Sequence, residues 1–380
     1  MGKWTDKLKA DPTPWLLEKA CPSIRFRLFA EIQRRPSDDP DLMGARQEVY
    51  SYKPPHTIAA ARSDDGTWFN SLMGFEAMNL QRKRGPGLVW QYLALVEYGW
   101  GQDHPIIWST SELLQGLLWE DPSIDLCELN GYLGGDPAVQ AFLRKRLSRI
   151  AMALLCRSGF ENDAGVKRKS DELFAELDSF YRGDIESKIY VGEHIREKET
   201  DEGTIEEVCS VFPSDQPVPE YMLLLQLAHN TNLRQREGGQ ELIDRLVDFL
   251  FSQKPAEHEV TQVGGKTFEK YTRFSIRTME QKDYEEQKLV GQLLQDLEIL
   301  ARCGALTRVP KAVAFLDWLI GLQDEEGVVR ADDFIEKTVN RLDYVYFPLE
   351  DNWRGKHKKF TDVTFRLFLI LSLLDQSEAS

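Results

Sequence analysis

Residues 289–327 read LVGQLLQDLEILARCGALTRVPKAVAFLDWLIGLQDEEG, and this stretch constrains the fold more than any other. An apolar helix, a tight Gly-containing turn, a second apolar helix and a polar stop follow one another. Leu293, Leu294, Leu297, Leu300 and Ala301 recur at helical spacing, as do Val313, Leu316, Leu319 and Ile320. Weaker copies of the pair run along the chain. First members begin near Ile24, Gly87, Arg144, Pro219, Glu286 and Thr361, spaced by roughly 60–75 residues, a long period for a helical repeat. All but the last have a following partner, and residues 15–19 at the other end of the chain supply the missing one. The pattern predicts an all-α fold: a closed α/α toroid of about six helical hairpins, or about twelve helices, with the N-terminal helix closing against the last.

Connection lengths add a polarity. The links within pairs are short and similar: RRPSDDP, GWGQDHP, GFENDAG and GALTRVP. The links between pairs are long and unlike each other, so antiparallel hairpins gather them on one face. Function usually sits on such loops. Parallel inner helices would also turn their positive dipole ends that way, which favours an anionic ligand group. The expected organisation is one domain over residues 1–380, with long excursions at about 52–86, 182–217 and 253–284. The last of these has β-branched and aromatic character around 268–276, suggesting a small hairpin.

The net charge of −15 leaves no basic surplus for phosphates and excludes a nucleic-acid partner. Residues 1–20 carry charges and prolines where a signal peptide needs an apolar run. No apolar stretch reaches membrane-spanning length, residues 365–374 being the most apolar. Cys21, Cys127, Cys156, Cys209 and Cys303 are scattered and odd in number, as reduced cytoplasmic thiols are. The expected location is the cytoplasm.

Phe315-Leu316-Asp317-Trp318-Leu319 through Gln323-Asp324-Glu325-Glu326-Gly327 resembles the repeat of the squalene and terpenoid cyclases and protein prenyltransferase β subunits. In that repeat an apolar helix ends in Gln, then Gly, then Trp; here Val329 takes the Trp position. Arg62-Ser63-Asp64-Asp65-Gly66-Thr67-Trp68 keeps the Asp-Gly-x-Trp part, and Phe249-Leu250-Phe251-Ser252-Gln253 the helix-and-Gln part. Arg354-Gly355 and residues 360–366 (FTDVTFR) are similar to the close of uncharacterised bacterial stand-alone members. The resemblance implies a central cavity that binds, or binds and transforms, a hydrophobic small molecule. The alternatives are a non-catalytic protein-interaction scaffold and, more remotely, carbohydrate chemistry of the kind related (α/α) toroids perform with two carboxylates. Whether the chain is an enzyme is left open, because the family's Asp-x-Asp-Asp acid motif and Asp-Asp-x-x-Asp diphosphate motif are both absent.

Site candidates follow from both readings. Asp125, Asp332, Asp333 and Asp362 are the carboxylates considered for acid–base work. Trp353, Arg354 and Thr361, beside a helix N-terminus on the long-loop face, suit an anionic or planar ligand. Tyr92 and Tyr221 lie on first-type helices, where aromatic side chains can line a cavity. No cofactor is required. The resemblance to prenyltransferase β subunits also implies a zinc set, Asp125, Cys127 and His194, with an open fourth position. The partners in view are a hydrophobic or anionic small molecule, or another protein.

Overall fold

A computed structural model describes residues 3–68, 70–72, 87–124, 126, 136–182, 192–200, 203–214, 221–252, 258–269, 274–330 and 348–379. The chain begins with a 3-10 turn at Trp4–Lys7, then α1 (Thr13–Lys19) and α2 (Pro22–Arg27), which runs into a π-helical turn at Leu28–Ile32. Next come α3 (Pro40–Tyr50), α4 (Lys53–Ala60), α5 (Leu88–Glu97) and α6 (Pro105–Leu118). They are followed by α7 (Pro137–Arg157), α8 (Ala164–Tyr181), α9 (Tyr221–His229), α10 (Thr231–Gln235) and α11 (Gly239–Ser252). The last group is α12 (Ser275–Thr278), α13 (Gln281–Gln287), α14 (Val290–Arg302), α15 (Pro310–Gly321) and α16 (Lys358–Ala379).

Local chemistry sets the helix ends. Asp39, Asp136 and Asp163 cap α3, α7 and α8 by accepting backbone N–H bonds, and proline opens α3, α6, α7 and α15. The first-type helices α5 and α14 end alike. Trp100 N–H reaches Leu95 O at 3.1 Å and Ala305 N–H reaches Leu300 O at 3.0 Å, each across a glycine. Gly99 (φ 102°) and Gly304 (φ 69°) supply the left-handed residue this C-terminal motif needs. At Gly99 a Cβ would also lie 2.7 Å from the Phe26 ring, so only glycine fits.

The expected all-α closed toroid is overturned by a four-stranded sheet of order β1-β2-β3-β4. Strands β1 (Gly192–Thr200) and β2 (Gly203–Phe212) form an antiparallel ribbon, and β3 (Glu259–Val263) and β4 (Lys266–Glu269) form a second hairpin. Parallel pairing of Ser210–Phe212 with Glu259–Thr261 joins the two. Both hairpins come from the long excursions, where helical periodicity lapses. The first is rich in charged residues with only scattered β-branched ones, and so reads as solvated loop. The second lies earlier than the expected 268–276.

Packing follows the first-type helices: α5 meets α7, α7 meets α9, α9 meets α14, and α14 meets α16, which in turn meets α2 and the π turn. Helix α16 is buried on every side from Phe360 to Ser372. Trp15, Leu16, Ile24 and Leu28 form an apolar cluster with Phe360, Phe365 and Leu369. The N-terminal 3-10 turn is tied to the same helix, with Asp375 accepting from Trp4 N–H and, at 2.7 Å, from Thr5 Oγ1–H.

The polar tail of the 289–327 pair locks this arrangement. Gln323 Nε2 donates to Gly327 O at 2.8 Å while its Oε1 accepts from Lys9 N–H at 3.2 Å. Asp324 accepts from Glu326 and Val328 N–H, both at 2.9 Å, and Val329 N–H donates to Thr364 Oγ1 at 3.0 Å. The Gln…Gly signature therefore ties α15 to the N-terminal segment and to α16. Among the described residues no helix is long and apolar enough to cross a membrane.

Candidate functional site

The first-type helices carry charges inward at their C-terminal ends. Glu97 and Arg157 are the last residues of α5 and α7, His229 of α9 and Arg302 of α14. Helix C-termini are electronegative, so Arg157, His229 and Arg302 sit where cations are favoured and Glu97 where an anion is not. Arginines compensate Glu97. Its Oε1 accepts from Arg157 Nε at 3.0 Å, and its Oε2 from Arg27 at 2.6 Å and Arg366 at 2.8 Å.

Glu298, one turn before Arg302, accepts from Arg302 Nε at 2.9 Å and Arg366 Nη1 at 2.6 Å. Glu31 bridges Arg27 and Arg302. The π turn makes this possible: its wider bond, Gln33 N–H to Leu28 O at 2.9 Å, inserts a residue and turns Glu31 toward the same centre as Arg27. Each carboxylate serves at least two arginines, and the network joins α2, the π turn, α5, α7, α14 and α16.

Burial pushes all three carboxyls up, but neighbouring guanidinium groups outweigh it. Arg157, Arg27 and Arg366 hold Glu97 well below the usual range; Arg366, Arg302 and Arg27 hold Glu298 down, and Arg27 and Arg302 hold Glu31 down. His229 is driven well below the usual imidazole value by burial and by Arg157 and Arg302, with Arg234 adding to them and Glu97 opposing. It is a neutral imidazole in a positive field. No described hydrogen bond occupies its ring nitrogens.

A cavity opens beside this network, lined by Trp90, Leu93 and Glu97 of α5, Arg157 of α7, Tyr221, Leu225 and His229 of α9, and Gln295, Glu298, Ile299 and Arg302 of α14, with Arg366 at its side. On α5, α9 and α14 these residues recur at three- and four-residue steps, so each helix contributes one stripe. The stripe on α5 runs from Trp90 and Leu93 to Glu97 and that on α9 from Tyr221 and Leu225 to His229, whereas on α14 Gln295, Glu298 and Arg302 surround the single aliphatic Ile299. The space open to water-sized centres is ≈ 40 Å³, and the whole void, mouth included, is ≈ 560 Å³. The first figure corresponds to about three waters at 10–15 Å³ each, and the second includes open solvent at the mouth.

Of the expected site residues, Tyr221 lies in this cavity, its hydroxyl accepting from Gln295 Nε2. Tyr92 is core, donating to Ser158 Oγ at 2.8 Å. Trp353, Thr361 and Asp362 do come together, in a buried cluster at the start of α16. Asp362 accepts from Leu349 N–H at 2.8 Å, Glu350 N–H at 3.1 Å and Trp353 Nε1–H at 2.7 Å. Thr361 Oγ1 donates to Glu350 Oε1 at 2.7 Å, which also accepts from Cys21 N–H at 3.0 Å. Those bonds fold the 348–353 loop onto α16 and α2. Arg354 is exposed.

Asp125, Cys127, Asp332 and Asp333 lie outside the described residues. His194 is on β1, its Nδ1 2.9 Å from Gln262 Nε2 and its Nε2 3.5 Å from Thr267 Oγ1. Among the described residues no group of three His, Cys, Asp or Glu is placed to hold a metal ion.

The network residues escape sequence reasoning because a charge closing an apolar helix reads as a stop signal. Superposing the repeats would have exposed them: Glu97, Arg157, His229 and Arg302 all occupy the last position of a first-type helix. The cavity reaches the short-turn end, opposite to the face the loop lengths favour. No family model, curated protein or solved structure matches the chain.

Proposed function

We propose that this protein binds a small molecule in the cavity between α5, α7, α9 and α14, with a polar head toward Arg157, His229 and Arg302 and an apolar body against Trp90, Leu93, Leu225 and Ile299. One observation carries the reading: α5 and α9 each present a stripe that changes from apolar to polar along the same cavity, which Glu298 and Arg302 of α14 and Arg157 of α7 line with charge. A buried Arg–Glu network is a poor source of stability, because desolvation offsets most of its Coulomb gain. Its persistence beside a void favours a binding role. The cyclase-like resemblance suggests a wholly hydrophobic guest, but Glu97, Glu298 and the arginines favour a ligand with a charged or strongly polar end. His229, a neutral imidazole with no described hydrogen bond on its ring nitrogens, is a cavity group able to accept a proton. The cytoplasm is the compartment this reading assumes, supported by the free thiols Cys21, Cys156, Cys209 and Cys303.

Saturation-transfer NMR against a fragment library tests the proposal. Amphiphilic fragments should bind the native protein and lose binding in Leu225→Trp, which fills the apolar end. Fragment binding unchanged by that substitution, in a variant that still unfolds cooperatively, would place the site elsewhere.

A further inference from the structure

We infer that the ligand is a monocarboxylic acid, bound as its anion with the carboxylate between Arg157, His229 and Arg302. This rests on the reading of the cavity as a ligand site and adds the chemistry of the head group. Three lines of geometry lead to it.

The first is the sign of the field. Arg157 comes from α7, Arg302 from α14 and Arg234 from α10, and all three bear on His229. Among the described residues Arg234, half-buried, has no ion-pair partner. Glu97 is the opposing charge at that imidazole, and it already accepts from Arg157, Arg27 and Arg366. An anion placed beside His229 therefore meets cations not fully served by the acids present.

The second is the number of charges. Glu97 and Glu298 line the same cavity. A dianion such as phosphate would be repelled by both at close range, whereas a single delocalised charge draws on the guanidinium groups with half that penalty. A carboxylate is also planar and matches the two-pronged donor edge of arginine.

The third is the lining. The cavity that holds the charged groups is also lined by the apolar side chains of Trp90, Leu93, Leu225 and Ile299. The body of the acid is therefore apolar, and Trp90 offers a flat partner for an aromatic or branched group. Tyr221 and Gln295, hydrogen-bonded to each other, begin the stripes of α9 and α14.

Binding should also draw a proton. His229 is held neutral by burial and by Arg157, Arg302 and Arg234 against Glu97. An added carboxylate counters those cations and favours the imidazolium, so binding is coupled to proton uptake.

Calorimetric titration with benzoate, benzamide, inorganic phosphate and sulfate decides the matter, run in two buffers of different ionisation enthalpy. Benzoate should bind at least about tenfold more tightly than benzamide, with fractional proton uptake that His229→Gln abolishes. Arg157→Gln should weaken benzoate about tenfold or more and leave benzamide unchanged, with Arg157→Lys recovering part of the loss. Benzamide binding as tightly as benzoate would overturn the carboxylate while leaving the cavity reading intact. Phosphate or sulfate binding more tightly than benzoate would overturn the single charge. Binding of none of the four, at millimolar concentration and to folded protein, would remove both readings. If Arg157→Gln does not fold, His229→Gln and the benzoate–benzamide pair carry the test on their own.

Discussion

Arg366 Nη2 and Glu97 Oε2 lie 2.8 Å apart although 269 residues of chain separate them. The contact joins α16 to α5 at the point where Arg27 and Arg157 also converge. Glu97→Ala removes the acceptor these three arginines share. Leaving buried cations without it should cost roughly 3–5 kcal/mol, measured by urea unfolding. A cost below about 1 kcal/mol would show that the arginines find water or other acceptors instead.

Stability should fall at both ends of the pH range, for opposite reasons. Glu31, Glu97 and Glu298 have folded-state values depressed by arginine. Their contribution is present above the ordinary carboxylate range and is lost as pH drops through the depressed values. Asp296 and Glu350 are each raised to about 7 by burial, Glu350 also by Asp362. Their contribution is complete below the ordinary carboxylate value and is lost as pH rises toward about 7. A maximum in weakly acidic solution is expected. Asp296→Asn should flatten the neutral side, since each pKa unit is worth about 1.4 kcal/mol. An unchanged slope in that variant would exclude Asp296 as its source.

Gly327 adopts φ 75°, and a Cβ there would lie 2.2 Å from Ala10 O. Gly327→Ala must therefore push the N-terminal segment off the Gln323–Asp324 loop. A loss of roughly 1–3 kcal/mol is expected, with faster proteolysis in residues 3–12. Unaltered cleavage there would mean that Asp375 alone holds the segment.

The β1–β2 ribbon is apolar on an exposed side: Ile195 and Val208, paired across the strands, are 59% and 54% exposed. Val208→Lys should change stability by less than about 0.5 kcal/mol. Val211→Lys, three residues on and facing the other side at 7% exposure, should cost several times more, on the order of 2 kcal/mol or above. Equal effects would mean that the strand register differs from the one described.

Much of the helical scaffold is legible in the sequence because its information is local. Leu293, Leu297 and Leu300 repeat at helical spacing, and Gly99, Gly159 and Gly304 mark the short turns. The sheet is less legible because Val208 and Ile195 face solvent, so alternation along β1 and β2 does not show as an apolar–polar pattern. Parallel pairing of β2 with β3 sets Ser210 opposite Glu259, nearly fifty residues further along the chain, which no window captures. Among the described residues, Tyr221 is the expected site residue that lies in the cavity. Glu97, Arg157, His229, Glu298 and Arg302 were hidden because their meaning depends on six helices converging. Asp362 and Trp353, expected in separate roles, meet at the start of α16, where their hydrogen bond fastens a loop.

The ties between the two chain ends bear on the order in which the molecule is made. Trp4 and Thr5 wait for Asp375, Lys9 for Gln323, and Arg27 and Glu97 for Glu298 and Arg366. Synthesis at about 5–20 residues per second spreads those partners over tens of seconds. A nascent chain therefore carries Glu97, Arg27 and Arg157 with their compensation incomplete until α16 leaves the ribosome. The C-terminal helix is the closing piece of folding, and a chain stalled before Arg366 should remain a client of chaperones.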